Sequence, residues 1–61
     1  MFEVGRRHTI RMKDQDNPQR ENFLHGMVLE FKFPDLTIEL DSGEVREIDT
    51  NSPMFISADP H

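Results

Sequence analysis

Three histidines, His8, His25 and His61, are the side chains best suited to metal ligation or proton transfer near neutral pH. Two imidazoles on adjacent strands can share a metal, and His8 and His25 become neighbours if the first two strands pair antiparallel. No ligand spacing of a known metal motif surrounds them. Each is therefore expected at a sheet rim, hydrogen-bonded to backbone or water, with His61 in a frayed tail. Asp14, Asp16 and Asn17 begin like a calcium loop. Such a loop needs Gly at its sixth position and Glu at its twelfth, and Gln19 and His25 stand there. A solvated turn is the expectation. Asp41, Glu44, Glu47 and Asp49 could pair as acid and base or hold magnesium, but nothing apolar surrounds them to exclude water. They read as a charged hairpin that discourages stacking with another copy. The chain has no Ser-His-Asp or Cys-His arrangement and no glycine-rich phosphate loop. No catalytic residue, cofactor or metal is expected, and the protein is not expected to be an enzyme.

Recognition is the chemistry left. Arg7, Arg11 and Lys13 recur at alternate positions with Thr9 among them, and Arg20 follows in the next loop. On a strand, such side chains leave one face about 7 Å apart. These four cations are the candidate partner-binding residues. They sit on an acidic chain of net charge −5. Residues 1–32 carry six bases against five acids, whereas residues 33–61 carry one base, Arg46, against seven acids. Two explanations compete. Oppositely charged strands can pair across one sheet, with Glu39 or Glu44 to Asp49 offsetting the basic row. Alternatively, the offset is an external acidic partner.

A small framework must position these residues. Sixty-one residues make one domain at most. A chain of this length buries only about 60 % of its unfolded surface, and with no cysteine it has no disulfide staple. Charged residues are 31 % and apolar ones 34 %, but the apolar ones cluster in runs, so the chain is expected to fold. No run approaches the roughly 20 apolar residues of a membrane span, and Met1-Phe2-Glu3-Val4 lacks a signal-peptide layout. A cytoplasmic location is the default expectation.

Phe2 to Met12 alternates, with Gly5 placed to bend the chain before it enters the sheet near residue 7. Lys13 to Glu21 is polar apart from Pro18 and reads as the most mobile loop. Asn22 to Phe33 is ambiguous. As a helix over 18–32 it shows one apolar stripe, with Asn17 as cap and Pro18 at the first turn. As a strand it places Phe23, His25, Met27, Leu29, Phe31 and Phe33 on one face and Leu24, Gly26 and Val28 on the other. Gly26 would cost a helix about 1 kcal/mol, and phenylalanines prefer sheets. The strand is favoured. Leu36 to Asp41 alternates cleanly and turns at Ser42-Gly43. Val45 and Ile48 differ in parity, which predicts a bulge near Arg46 and Glu47. Met54 to Ala58 is a last strand, and residues 59–61 are expected to fray. The expected core is Val28, Leu36, Ile38, Leu40, Val45, Ile48 and Ile56.

Five strands in this order, with these loops, resemble the SH3-like small β-barrel superfold of SH3, Tudor, KOW and Sm-like domains. The resemblance rests on Val4-Gly5, His25-Gly26-Met27-Val28, Leu40-Asp41-Ser42-Gly43-Glu44 and Pro53-Met54-Phe55-Ile56. It implies an all-β, five-stranded barrel, and architecture rather than activity. The alternative is an α+β fold with one helix on a small antiparallel sheet. SH3 and Tudor domains grip ligands with exposed Tyr and Trp, and this chain has neither. The expected function is a non-catalytic binding or regulatory module for a protein partner, recognised by charge complementarity or strand addition at an edge. An RNA-binding barrel of KOW or Sm-like type is the alternative, using Arg7, Arg11, Lys13 and Arg20. A small homo-oligomeric structural protein is the third possibility, because apolar side chains occur on both faces of 23–33. No membrane partner is expected.

Overall fold

A computed structural model describes residues 3–61. Five strands run in chain order: β1 Arg7–Lys13, β2 Glu21–Lys32, β3 Asp35–Leu40, β4 Val45–Asp49 and β5 Phe55–Pro60. They form one antiparallel sheet in the order β4-β3-β2-β1-β5. The described residues contain no helix, so none is long and apolar enough to cross a membrane. The helix considered over 18–32 is replaced by β2, the longest strand of the sheet.

The expected barrel is not closed. Closure requires the first and last strands of the sheet to pair with each other. Here β4 has one ladder partner, β3, and β5 has one, β1. The sheet is nonetheless curled. Ile48 on β4 and Ala58 on β5 join Ile10, Val28, Leu36 and Ile38 in a single buried cluster. Two register shifts assist the curl, at Val28/Glu30 against β3 and at Arg11/Met12 against β5, since a bulge bends its strand and raises its twist.

The first bulge redirects β2. Leu24, Gly26 and Val28 share the inward row, as their parity predicts. Leu29 is the extra residue, after which Phe31 pairs with Leu36 and packs against the core. Phe31 is thus separated from Phe23, His25 and Met27, with which strict alternation had grouped it. In β4 no bulge occurs: the register runs unbroken from Asp35↔Asp49 to Glu39↔Val45. Ile48 therefore faces inward opposite Leu36, and Val45 faces solvent at 57 % exposure instead of filling the core. Ile56 falls at the β5 register shift and is half-buried outside the cluster. Leu40 packs only at the cluster's margin. Ile10 and Ala58 take the vacated core positions, directly opposite one another.

Gly5, at φ 82°, bends the entering chain, and its N–H bonds the Val28 carbonyl at 2.7 Å before β1 begins at Arg7. Phe2 lies outside the described residues. The tail expected to fray is instead paired. Asp59 and Pro60 belong to β5, and the His61 N–H bonds the Arg7 carbonyl at 3.0 Å.

Candidate functional site

The outward row of β1 does not present three free cations. Register places Arg7 opposite Met27 and Arg11 opposite Phe23 on β2. Arg7 forms an ion pair with Asp41, just past the end of β3. Arg11 donates from Nη2 at 2.7 Å and from Nε at 3.2 Å to the same Glu21 oxygen, Oε1. This hydrogen bond, with the charge behind it, raises the Arg11 guanidinium above its ordinary pKa; the charge of Asp59 adds in the same sense. The expected offset, Glu39 or Glu44 to Asp49, is not what answers the row. Its partners are Asp41 at the start of the hairpin and Glu21 at the start of β2. Lys13 and Arg20 make no ion pair among the described residues. The four candidates therefore divide into two braced cations on the outer face and two unpaired ones beside the 14–20 loop.

That loop is held by its own turns. The Asp16 N–H bonds Asp14 Oδ1 at 2.8 Å, and the Gln19 N–H bonds Asn17 Oδ1 at 3.2 Å. Both are Asx turns, in which a short side chain imitates the backbone. The carboxylate and amide that resembled a calcium loop are engaged in this way. The loop's two ends are closed by the Asp14 N–H on the Arg20 carbonyl at 2.9 Å.

Beside the loop, the inner face opens into a groove of about 570 Å³. Its apolar floor comes from Met12 on β1, Leu24 on β2 and Met54 in the β4–β5 connection. Met12 and Leu24 are the last apolar members of their inward rows, packed on the edge of the core. Lys13 and Arg46 bring positive charge to the walls, with Asn22, Gln15 and Ser52 as polar partners. Arg46 stands opposite Ile38, on the inward side, and is paired with Glu44 at 2.7 Å. The backbone at Lys13 is fixed by its N–H on the Met54 carbonyl at 2.8 Å. Sequence reasoning selected Lys13 for its charge but missed Met12, Leu24, Met54 and Arg46. The available signal was the parity of Met12 and Leu24: both continue an apolar row where their neighbours have become polar.

The acidic hairpin is partly consumed by the same pairs. Asp41 takes Arg7, Glu44 takes Arg46, and Asp49 Oδ1 accepts the Asn51 N–H at 2.8 Å. Glu47 stands across the ladder from Thr37.

The histidines separate sharply. His8 is fully buried in the inward row of β1. Its Nε2 accepts the Glu3 N–H at 3.0 Å, and its Nδ1 lies 2.8 Å from the Arg6 carbonyl, to which it donates. The neutral Nδ1–H tautomer meets both requirements. His8 and His25 do not meet, because they lie on opposite faces. His25 instead stands opposite Thr9 on the outer face, where His61 joins it. Among the described residues no group of three His, Asp or Glu side chains converges on one point. Comparison with protein-family models, with curated proteins and with solved structures returns no match.

Proposed function

We propose that the protein is a non-catalytic binding module that takes an extended segment of a protein partner along the inner-face groove. The observation that carries this reading is the groove itself: an apolar floor of Met12, Leu24 and Met54 with unpaired Lys13 at its wall. Such a site suits a large apolar side chain set beside a carboxylate. The apolar group gains from desolvation, and the charge fixes orientation. The free edges of β4 and β5 are available to extend recognition by strand addition.

Arg7 and Arg11 already hold carboxylates, and this favours protein over RNA. Phosphates would have to displace Asp41 and Glu21, leaving Lys13 and Arg20 as the ready contacts. A homo-oligomer has one observation of its own, the exposed Phe23 and Met27 on the outer face.

Selection from a displayed peptide library tests the reading. Wild-type protein should retain peptides carrying a bulky apolar residue flanked by Asp or Glu. The Lys13→Glu variant should lose them by about tenfold or more, the cost of placing like charges together. Steeply salt-dependent capture of single-stranded RNA through Lys13 and Arg20, with no peptide retained, would replace this reading by the RNA-binding one.

A further inference from the structure

We propose that His25 and His61 form an exchangeable site for a divalent transition-metal ion, Zn²⁺ as the probe, clamping the end of β5 to β2 across β1. The two imidazoles come from opposite sides of the same strand. His25 is the ladder partner of Thr9, and His61 follows directly on Pro60, the last residue of β5. Both lean over Thr9. His25 Nδ1 lies 3.1 Å from the Thr9 hydroxyl oxygen, and His61 Nε2 lies 2.5 Å from it. The ring centroids are 6.3 Å apart and tilted by 58°.

Two ring nitrogens thus converge on one point. A hydroxyl has a single proton, so it can donate to one imidazole while accepting from the other. A metal ion accepts both lone pairs at once. Nitrogens bound to one zinc lie about 2.0–2.1 Å from it, so rotation of two exposed rings over a short distance completes the clamp. Both side chains are solvent-exposed, which leaves the remaining coordination positions to water. Two imidazoles and water suit borderline ions such as Zn²⁺ and Cu²⁺, and not Mg²⁺, which prefers oxygen ligands.

The backbone prepares this arrangement. The His61 N–H bonds the Arg7 carbonyl at 3.0 Å, and Arg6 Nε donates to the His61 carbonyl at 2.7 Å. Residue 61 is therefore placed through its main chain, and changing its side chain leaves those bonds in place. His8 cannot compete: it is buried, and both its nitrogens are engaged by backbone. The site is separate from the groove, which opens on the other face of the sheet.

Calorimetric titration of the whole chain with zinc chloride, alongside NMR of the imidazole rings, tests the proposal. One ion per chain is expected, with the ring signals of His25 and His61 moving together and those of His8 unmoved. His25→Ala and His61→Ala should each weaken binding by about tenfold or more, because either loss breaks the chelate. The double variant should do little further. Zinc should raise the melting temperature of the wild type and not that of either variant. Melting of the metal-free variants close to wild type shows that the fold survives. A single variant binding within about twofold of wild type, one ion shared by two chains, or signals moving at His8 in place of the pair would each overturn the proposal.

Discussion

Gly26 on β2 lies so close to Glu39 on β3 that a Cβ at position 26 would stand 2.2 Å from the Glu39 carbonyl oxygen. The obstacle is backbone, in the middle of the most extensively paired strand, and it cannot swing aside as a side chain would. Gly26 is thus required by close approach and not by an unusual backbone angle. Gly26→Ala is expected to part β2 from β3. The stability of a domain this small is about 3–5 kcal/mol at best, so the variant should be largely unfolded at room temperature, visible as collapse of amide NMR dispersion. Ala at Gly43, by contrast, meets no atom within 4 Å, and its cost is confined to the positive φ of 92°.

Ile38 is fully buried, whereas Val45, one strand away, is 57 % exposed. Truncating a buried isoleucine typically costs about 2–5 kcal/mol. Ile38→Ala should therefore abolish folding. Val45→Ala should change stability by less than about 0.5 kcal/mol, as surface substitutions do. Thermal melts of the two variants separate an inward from an outward row on β3 and β4.

Much of this architecture was legible from alternation. Leu36 and Ile38 declare their face at once, and Gly26 with the phenylalanines tips 22–33 towards a strand. Where alternation failed, a bulge or its absence was the cause. The extra residue at Leu29 moves Phe31 to the core face, and no local residue type announces it. The parity conflict of Val45 and Ile48 could be met by a bulge or by exposing one of them; pairing with Leu36 selects the second. His8 is buried and not at the rim: a buried imidazole needs two partners, and the backbone at Glu3 and Arg6 supplies them once Gly5 has bent the chain. The groove was illegible for a related reason. Lys13 stood out by charge, but its apolar floor joins residues far apart in the chain.

Arg7 and Arg11 are braced by Asp41 and Glu21, with side chains that remain about half exposed. Exposed pairs of this kind contribute little, because solvent screens them. Arg7→Glu combined with Arg11→Glu places like charges together and should lower the melting temperature. Adding Asp41→Arg and Glu21→Arg should restore it. Peptide capture by the groove should persist throughout. The upward shift at Arg11 keeps its guanidinium charged wherever Glu21 is a carboxylate, and on the alkaline side the pairing is lost only as pH rises through the raised value.

His8 should be a single neutral tautomer with its proton on Nδ1, because Nε2 accepts from the Glu3 N–H. Long-range ¹H–¹⁵N correlation at neutral pH reads this directly. Replacing His8 by Phe keeps the ring but takes the acceptor from the Glu3 N–H, while the Arg6 carbonyl keeps the Val28 N–H at 3.1 Å. Losing a hydrogen bond of this kind costs about 0.5–1.5 kcal/mol, so a modest loss of stability is expected in the melt.

The most direct test of the groove is methyl and amide shift mapping of the whole protein on titration with a selected peptide, one bulky apolar residue beside a carboxylate. The methyl signals of Met12, Leu24 and Met54 and the amide of Lys13 should move together and saturate, while those of Met27 and Phe23 on the outer face stay fixed. Movement confined to Phe23 and Met27, or a saturating titration that leaves the Met12, Leu24 and Met54 methyls unchanged, would contradict the assignment of the groove as the partner site.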